Sequence, residues 1–261
     1  MTRIQRKFRD LKSDRQKAFI PYITAGDPDL RTTLRLILEL ERAGSDVIEL
    51  GVPFSDPIAD GPVIQRASER ALRNGVNVRD CLELVRELRT QSEVPILLFS
   101  YFNPLLALGL EQLGDEFRRA GVDGVLVTDL VPEEAGPFIA TMRAAEIDTV
   151  FLIAPTSPDE RIKLVTECST GFVYAVSRTG VTGARQTLSE AASGLVSRVR
   201  KFTDAPIAVG FGISTPEHVR EVWSHADGAV VGSRIVSEIA DHAGRPDLVS
   251  SVGALARHLR G

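Results

Sequence analysis

The chain has 261 residues, 43% of them hydrophobic and 25% charged, with a formal charge of −4. That supplies a sizeable core and fits the roughly 250 residues of a single eight-fold (β/α) barrel. The acidic balance argues against a nucleic-acid partner, no stretch reaches the ~20 apolar residues of a membrane span, and two cysteines make no disulfide scaffold. An anionic ligand would have to be held by a local device, because the overall field repels it.

In chain order, the basic opening segment places Ile4, Phe8 and Leu11 at helical spacing. Asp10 and Asp14 are acids that a transit peptide lacks, so residues 1–14 are expected to form an amphipathic helix docked on the domain. Short apolar, β-branched runs then alternate with stretches of helical period. The runs are Ala18–Thr24, Asp46–Leu50, Pro95–Ser100, Val122–Thr128, Thr149–Ala154, Phe172–Val176, Pro206–Gly210 and Gly228–Val231. Their lack of alternation suits parallel strands covered on both faces. Helices are expected over Leu30–Ala43, Val78–Thr90, Glu111–Ala120 and Leu188–Phe202, with Asp29 and Thr215-Pro216 as start signals. Cys81 and Cys168 fall within helical stretches and read as packing residues in a reducing compartment, here the cytoplasm.

A phrase recurs at Ala43-Gly44-Ser45-Asp46, at Ala120-Gly121-Val122-Asp123, and more loosely before Asp148 and Asp227. Each copy reads as a helix end, a tight turn and the start of a buried strand. Eight such units close most economically into a (β/α)8 TIM barrel, with an open doubly wound sheet as the alternative. No linker divides the chain, so residues 1–261 are expected to be one domain. Chemistry in this architecture sits on the loops at the C-terminal ends of the strands.

Two carboxylates stand there. Glu49 ends the second run inside Ile48-Glu49-Leu50-Gly51. A carboxylate in an apolar strand is either satisfied by a donor or a neighbouring arginine, or is a general acid/base whose pKa its surroundings raise. The next loop, Val52 to Pro62, holds three prolines together with Asp56 and Asp60. Asp60 can be read as an N-cap for a helix near Pro62 or as a held catalytic group, and Asp56 as a turn residue.

Glycines follow the last three strands, in Ser177–Arg185, in Val209-Gly210-Phe211-Gly212 and in Val230-Val231-Gly232-Ser233-Arg234. Backbone amides reach phosphate oxygens most easily where no Cβ intervenes, and a helix opening at Gly232-Ser233 favours an anion. A phosphate site is expected there. Tyr22, Phe99, Tyr101, Ile153 and Phe211 lie at strand ends, where they could wall a flat apolar slot or be plain core. His218, His225, His242 and His258 lack convincing metal-ligand spacing, and no metal is expected.

The stretch from Glu49 through Val-Pro-Phe-Ser-Asp-Pro-Ile-Ala to Asp60, with Pro21-Tyr22-Ile23-Thr24-Ala25-Gly26-Asp27-Pro28 before it, resembles the tryptophan synthase alpha subunit family. The likeness runs almost the full chain. It implies cleavage of indole-3-glycerol phosphate to indole and D-glyceraldehyde 3-phosphate, with Glu49 as general acid/base and Asp60 bonding the indole nitrogen. It also implies phosphate contacts at Gly183, Gly212, Gly232 and Ser233, and a tyrosine, Tyr174, near the glutamate. Residues 177–189 would form a mobile loop whose Thr182 positions Asp60 on closure. The partner implied is a beta subunit carrying pyridoxal phosphate in an alpha2-beta2 heterotetramer, facing Pro53, Asp56, Pro57, Asn103 and Pro104, with no cofactor on this chain. Phe102 stands where many relatives carry tyrosine, and residue 100 also varies. A stand-alone lyase and a non-catalytic regulatory barrel are the other readings. Sister barrels such as phosphoribosylanthranilate isomerase and indole-glycerol phosphate synthase lack the Pro53–Asp60 loop.

Overall fold

Alternation along each strand decides which side chains meet at the axis of the sheet. The computed structural model describes residues 1–176, 188–210 and 212–261. Its strands are β1 (Ala18–Thr24), β2 (Ile48–Gly51), β3 (Ile96–Ser100), β4 (Gly124–Val127), β5 (Asp148–Val150), β6 (Leu152–Ile153), β7 (Val173–Val176), β8 (Ile207–Gly210) and β9 (Gly228–Val231). The pairings are parallel, in the order β5-β4-β3-β2-β1-β9-β8-β7-β6. The two ends of that order are joined in the chain through Phe151 alone, so the sheet closes into the barrel.

The expected single strand over Thr149–Ala154 is therefore two segments. At Phe151 the backbone N–H donates to Ser169 Oγ (3.2 Å). β5 pairs with β4 on one side of this break, and β6 with β7 on the other.

Inward positions carry Ile20, Tyr22, Leu97, Phe99, Leu126, Val150, Leu152, Tyr174, Ala208 and Val230, which form one apolar cluster. Their neighbours Phe19, Ile23, Ile48, Leu50, Ile96, Leu98, Val173 and Ala175 pack in a second cluster with the surrounding helices. Helices flank the strands as their periodicity requires. Asp29 caps Leu30–Arg42 by accepting from the Thr32 amide (2.7 Å). Thr215 caps Pro216–Trp223 by accepting from the His218 amide (3.3 Å). Cys81 is buried on the helix Val78–Leu88, and Cys168 ends Asp159–Cys168; both are free thiols. Among the described residues no helix is long and apolar enough to cross a membrane.

The N-terminal helix, Arg3–Ser13, buries Ile4, Phe8 and Leu11 against the barrel's lower end. Phe8 meets Phe172 with ring centroids 5.5 Å apart. The recurring Asp explains how this end is built. Asp46 accepts from the Phe19 amide (3.0 Å), Asp123 from Ile96 (2.8 Å) and Asp227 from Ile207 (3.0 Å), each the amide of a neighbouring strand. Asp46 and Asp123 lie just before β2 and β4, which begin at Ile48 and Gly124. The same carboxylates receive cations from the basic N-terminal segment. Arg3 bonds Asp123 (3.0 Å), Lys7 lies 3.7 Å from Asp46, and Lys17 lies 3.3 Å from Asp227.

Candidate active site

At the opposite end, β2 carries Glu49 on the inner face between Tyr22 of β1 and Leu97 of β3. Glu49 is 1% exposed, and its Oε1 has no hydrogen-bond partner among the described residues. Burial without an offsetting cation pushes its carboxyl up to about 8. The group is thus protonated at neutral pH and ready to donate. Two residues on, a Cβ at Gly51 would sit 2.0 Å from the Tyr22 hydroxyl, and one at Gly210 would sit 2.2 Å from that of Tyr174. These glycines let both tyrosines lie across the strand ends. Tyr22 also packs edge-on against Phe99, centroids 5.3 Å apart. Burial pushes both phenols upward, so they stay protonated.

The proline-rich loop after β2 brings Asp60 to the same space. The N-cap of the helix Pro62–Arg73 is Gly61, with no side-chain cap bond, so Asp60 is not spent as a cap. Tyr101 fastens the loop instead. Its hydroxyl accepts from the Ala59 amide (2.9 Å) and donates to Asp60 Oδ2 (3.2 Å), and its ring lies 5.0 Å from that of Phe54. Gln65 Nε2 adds a bond to the Asp60 carbonyl (2.9 Å). Burial lifts the Asp60 carboxyl to about 6, against the lowering effect of the Tyr101 hydrogen bond. At neutral pH it is mostly a carboxylate.

Tyr22, Glu49, Asp60, Phe99 and Tyr174 line one cavity of about 400 Å³, together with Gly212, Gly232 and Ser233. Gly212 has φ +80°, the left-handed region. The helix Ser233–Asp241 starts from Gly232 with no side-chain acceptor for its first amides. One end of the cavity is therefore rich in backbone donors and the other holds the carboxyl groups.

Other candidates lie elsewhere. Tyr101 stands behind Asp60 and is not part of the wall. Ile153 is fully buried among the helix-facing residues, because alternation turns Leu152 inward and Ile153 outward. Thr182, Gly183 and Phe211 lie outside the described residues, as does the 177–189 loop up to residue 187. Asp56 and Asn103 are exposed, Pro57 and Pro104 half-buried and Pro53 buried. Among the described residues no group of three or more His, Cys, Asp or Glu could hold a metal. Val230 and Arg234, which flank Gly232-Ser233 in the expected phosphate segment, also line the cavity, as do Ile64, Ile213, Ser214 and Ser237, which no sequence signal singled out. Ile64 and Ser237 come from the helices Pro62–Arg73 and Ser233–Asp241, whose packing on the barrel no local motif announces.

A buried acid, an accessible carboxylate, an aromatic wall and an amide-rich end together suit proton transfer on a flat ligand that carries an anionic group. The family described as tryptophan synthase alpha chain matches residues 8–258. The tryptophan synthase alpha chain of Solibacter usitatus is 53% identical over 260 residues, covering 100% of this chain and 97% of the relative. The crystal structure of tryptophan synthase subunit alpha from Legionella pneumophila superposes with a TM-score of 0.92 at 36% identity, over 100% of this chain and 97% of that one. A chain from the tryptophan synthase a2b2 complex of Pyrococcus furiosus gives 0.86 at 42%, over 93% of this chain and 97% of that one. Fold, cavity and full-length similarity agree, and the chain belongs to the tryptophan synthase alpha chain family.

Proposed function

We propose that this chain cleaves indole-3-glycerol phosphate by a retro-aldol reaction, releasing indole and D-glyceraldehyde 3-phosphate. The observation that carries the proposal is Glu49: fully buried, without a partner for Oε1, and in one cavity with Asp60 and the uncapped start of Ser233–Asp241. Asp60, as carboxylate, accepts the indole N–H and stabilises the cation formed when C3 is protonated. Glu49 delivers that proton. As the C3–C1′ bond breaks, the glycerol hydroxyl on the departing carbon becomes the aldehyde and returns its proton to Glu49. Acid and carboxylate are set apart by environment alone, about 8 against about 6. Tyr22, Phe99 and Tyr174 would grip the ring, while Gly212, Gly232 and Ser233, with Gly183 and the loop bearing Thr182, would hold and cover the phosphate.

In this reading the chain needs no cofactor of its own and works in the cytoplasm with a beta subunit that carries pyridoxal phosphate, as an alpha2-beta2 assembly. The partner-facing rim is Pro53, Asp56, Pro57, Asn103 and Pro104. Ile58, in the same loop, is 88% exposed, and Leu106 of the neighbouring segment is also exposed. Large apolar side chains left in water on the loop and on the nearby helix Phe102–Leu106 favour a protein partner there.

The test is indole release by the purified chain, alone and with its cognate beta subunit. Slow release that the partner accelerates supports the two-subunit reading, and fast release by the chain alone points to a stand-alone lyase. No release in either case from a folded protein would leave a regulatory barrel and remove the roles given to Glu49 and Asp60.

A further inference from the structure

We infer that Arg234 is a phosphate-binding residue of this cavity, adding a full positive charge to a cradle otherwise built from neutral backbone donors. The inference rests on the proposed phosphorylated substrate. The ligand's anionic end must enter a chain of charge −4 and share a cavity with the Asp60 carboxylate. Repulsion of that kind is strong in a partly enclosed site, where screening is weak. Amides at a helix start offer only about half a unit charge. Among the described residues lining the cavity, Arg234 is the one cationic side chain.

Its position has no good structural explanation. Arg234 is the second residue of Ser233–Asp241, at the end of the helix where the dipole repels a cation. It pairs with Glu238 one turn on (Nη1 to Oε2, 2.9 Å), in the order, cation before anion, that gives the weaker helical pair. Glu238 has a second neighbour in His242 (3.5 Å), so it does not depend on Arg234 alone. The Arg234 side chain is 36% exposed. A helix designed for stability would place an acid or a small residue at this position. What the position does provide is nearness to the free amides of the same turn, beside Ser233 and Gly232 in the cavity wall. A phosphate there takes amide hydrogen bonds on one side and a guanidinium on the other, and a guanidinium fits phosphate oxygens in a planar, two-pronged way. That the cavity is built for a ligand rests on a separate observation, the buried and unpartnered Oε1 of Glu49 within it.

The experiment measures competitive inhibition of indole-3-glycerol phosphate cleavage by two fragments: glycerol 3-phosphate, which has the anion without the ring, and indole-3-propanol, which has the ring without the anion. Arg234→Ala should weaken glycerol 3-phosphate roughly ten- to hundred-fold, the loss typical of one charge-assisted hydrogen bond. It should leave indole-3-propanol within about twofold, raise KM far more than it lowers kcat, and be partly rescued by Arg234→Lys. Glu238→Gln separates this role from a structural one. Releasing the guanidinium should keep or tighten glycerol 3-phosphate binding, whereas a purely structural ion pair would make the two variants behave alike. Equal inhibition of wild type and Arg234→Ala by glycerol 3-phosphate, or matched losses for both fragments, overturns the inference and leaves the proposed reaction standing. Failure of glycerol 3-phosphate to bind the wild type at all would overturn both.

Discussion

Buried and half-buried carboxylates occupy both ends of this barrel, and the two in the cavity are treated unlike the others. At the lower end each has partners. Asp123 accepts from Ile96, Arg89 and Arg3, and Asp148 from Thr2, Gln5 and Thr170. Asp227 accepts from Ile207, Lys17 and Arg200. At the upper end Asp27 is likewise paired, with Arg70, whereas in the cavity Glu49 has no cation and no partner for Oε1, and Asp60 has one tyrosine. Burial pushes the carboxyls of Asp46, Asp123 and Asp148 upward too, but hydrogen bonds or cations pull each of them back. Burial is therefore common to the two sets and does not mark the working group. Lack of a partner does.

The sharpest way to break this contrast is Glu49→Gln. Turnover should fall roughly 10²–10⁴-fold while ligand binding survives. Stability should change in the other direction. Folded Glu49 keeps its proton to about pH 8, and the unfolded chain releases it near 4.5, so the wild type loses stability as pH rises between these values. The variant should gain nothing below pH 4.5 and on the order of 3 kcal/mol at pH 7, read by denaturant titration. A variant destabilised equally at every pH would mean that Glu49 is a satisfied structural group.

Asp123→Ala probes the lower set. Arg3 keeps Glu93, but leaving the largely buried Arg89 without its acid should cost about 3–5 kcal/mol, with kcat/KM of the folded enzyme unchanged. A selective loss of activity would blur the division between the two ends. Tyr101→Phe should have a smaller effect, roughly a tenfold loss in kcat/KM. Since the Tyr101 hydrogen bond lowers the Asp60 pKa, the acid limb of the pH–rate profile should move upward from about 6, and a limb that stays put would detach Tyr101 from Asp60. Lys7→Ala is the smallest test. This half-exposed cation 3.7 Å from Asp46 should be worth less than about 1 kcal/mol.

Much of this was legible in the chain itself. Apolar runs and turns placed the strands to within a few residues, and Glu49 stood out because an acid inside Ile48–Leu50 is costly. The repeated Ala-Gly-x-Asp phrase was visible as repetition, but its purpose was not. Asp123 serves an amide 27 residues away and a helix 120 residues away, and such pairings belong to closure of the barrel. Ile153 and Tyr101 show a second limit. Position at a strand end brings a residue near the mouth, yet facing is set by alternation for Ile153 and by the course of the neighbouring loop for Tyr101. Arg234 stood in plain view beside Ser233, and its meaning depends on which end of a helix it occupies.

The docked N-terminal helix also imposes an order on biosynthesis. Its apolar stripe is translated well before Asp123, Asp148 and Phe172, with which the segment makes contact. Until Phe172 exists, Phe8 lacks the ring on which it packs. This early element is thus among the last to complete its contacts, and polypeptides that stop short of Phe172 carry an incompletely covered apolar stripe open to chaperones and to aggregation.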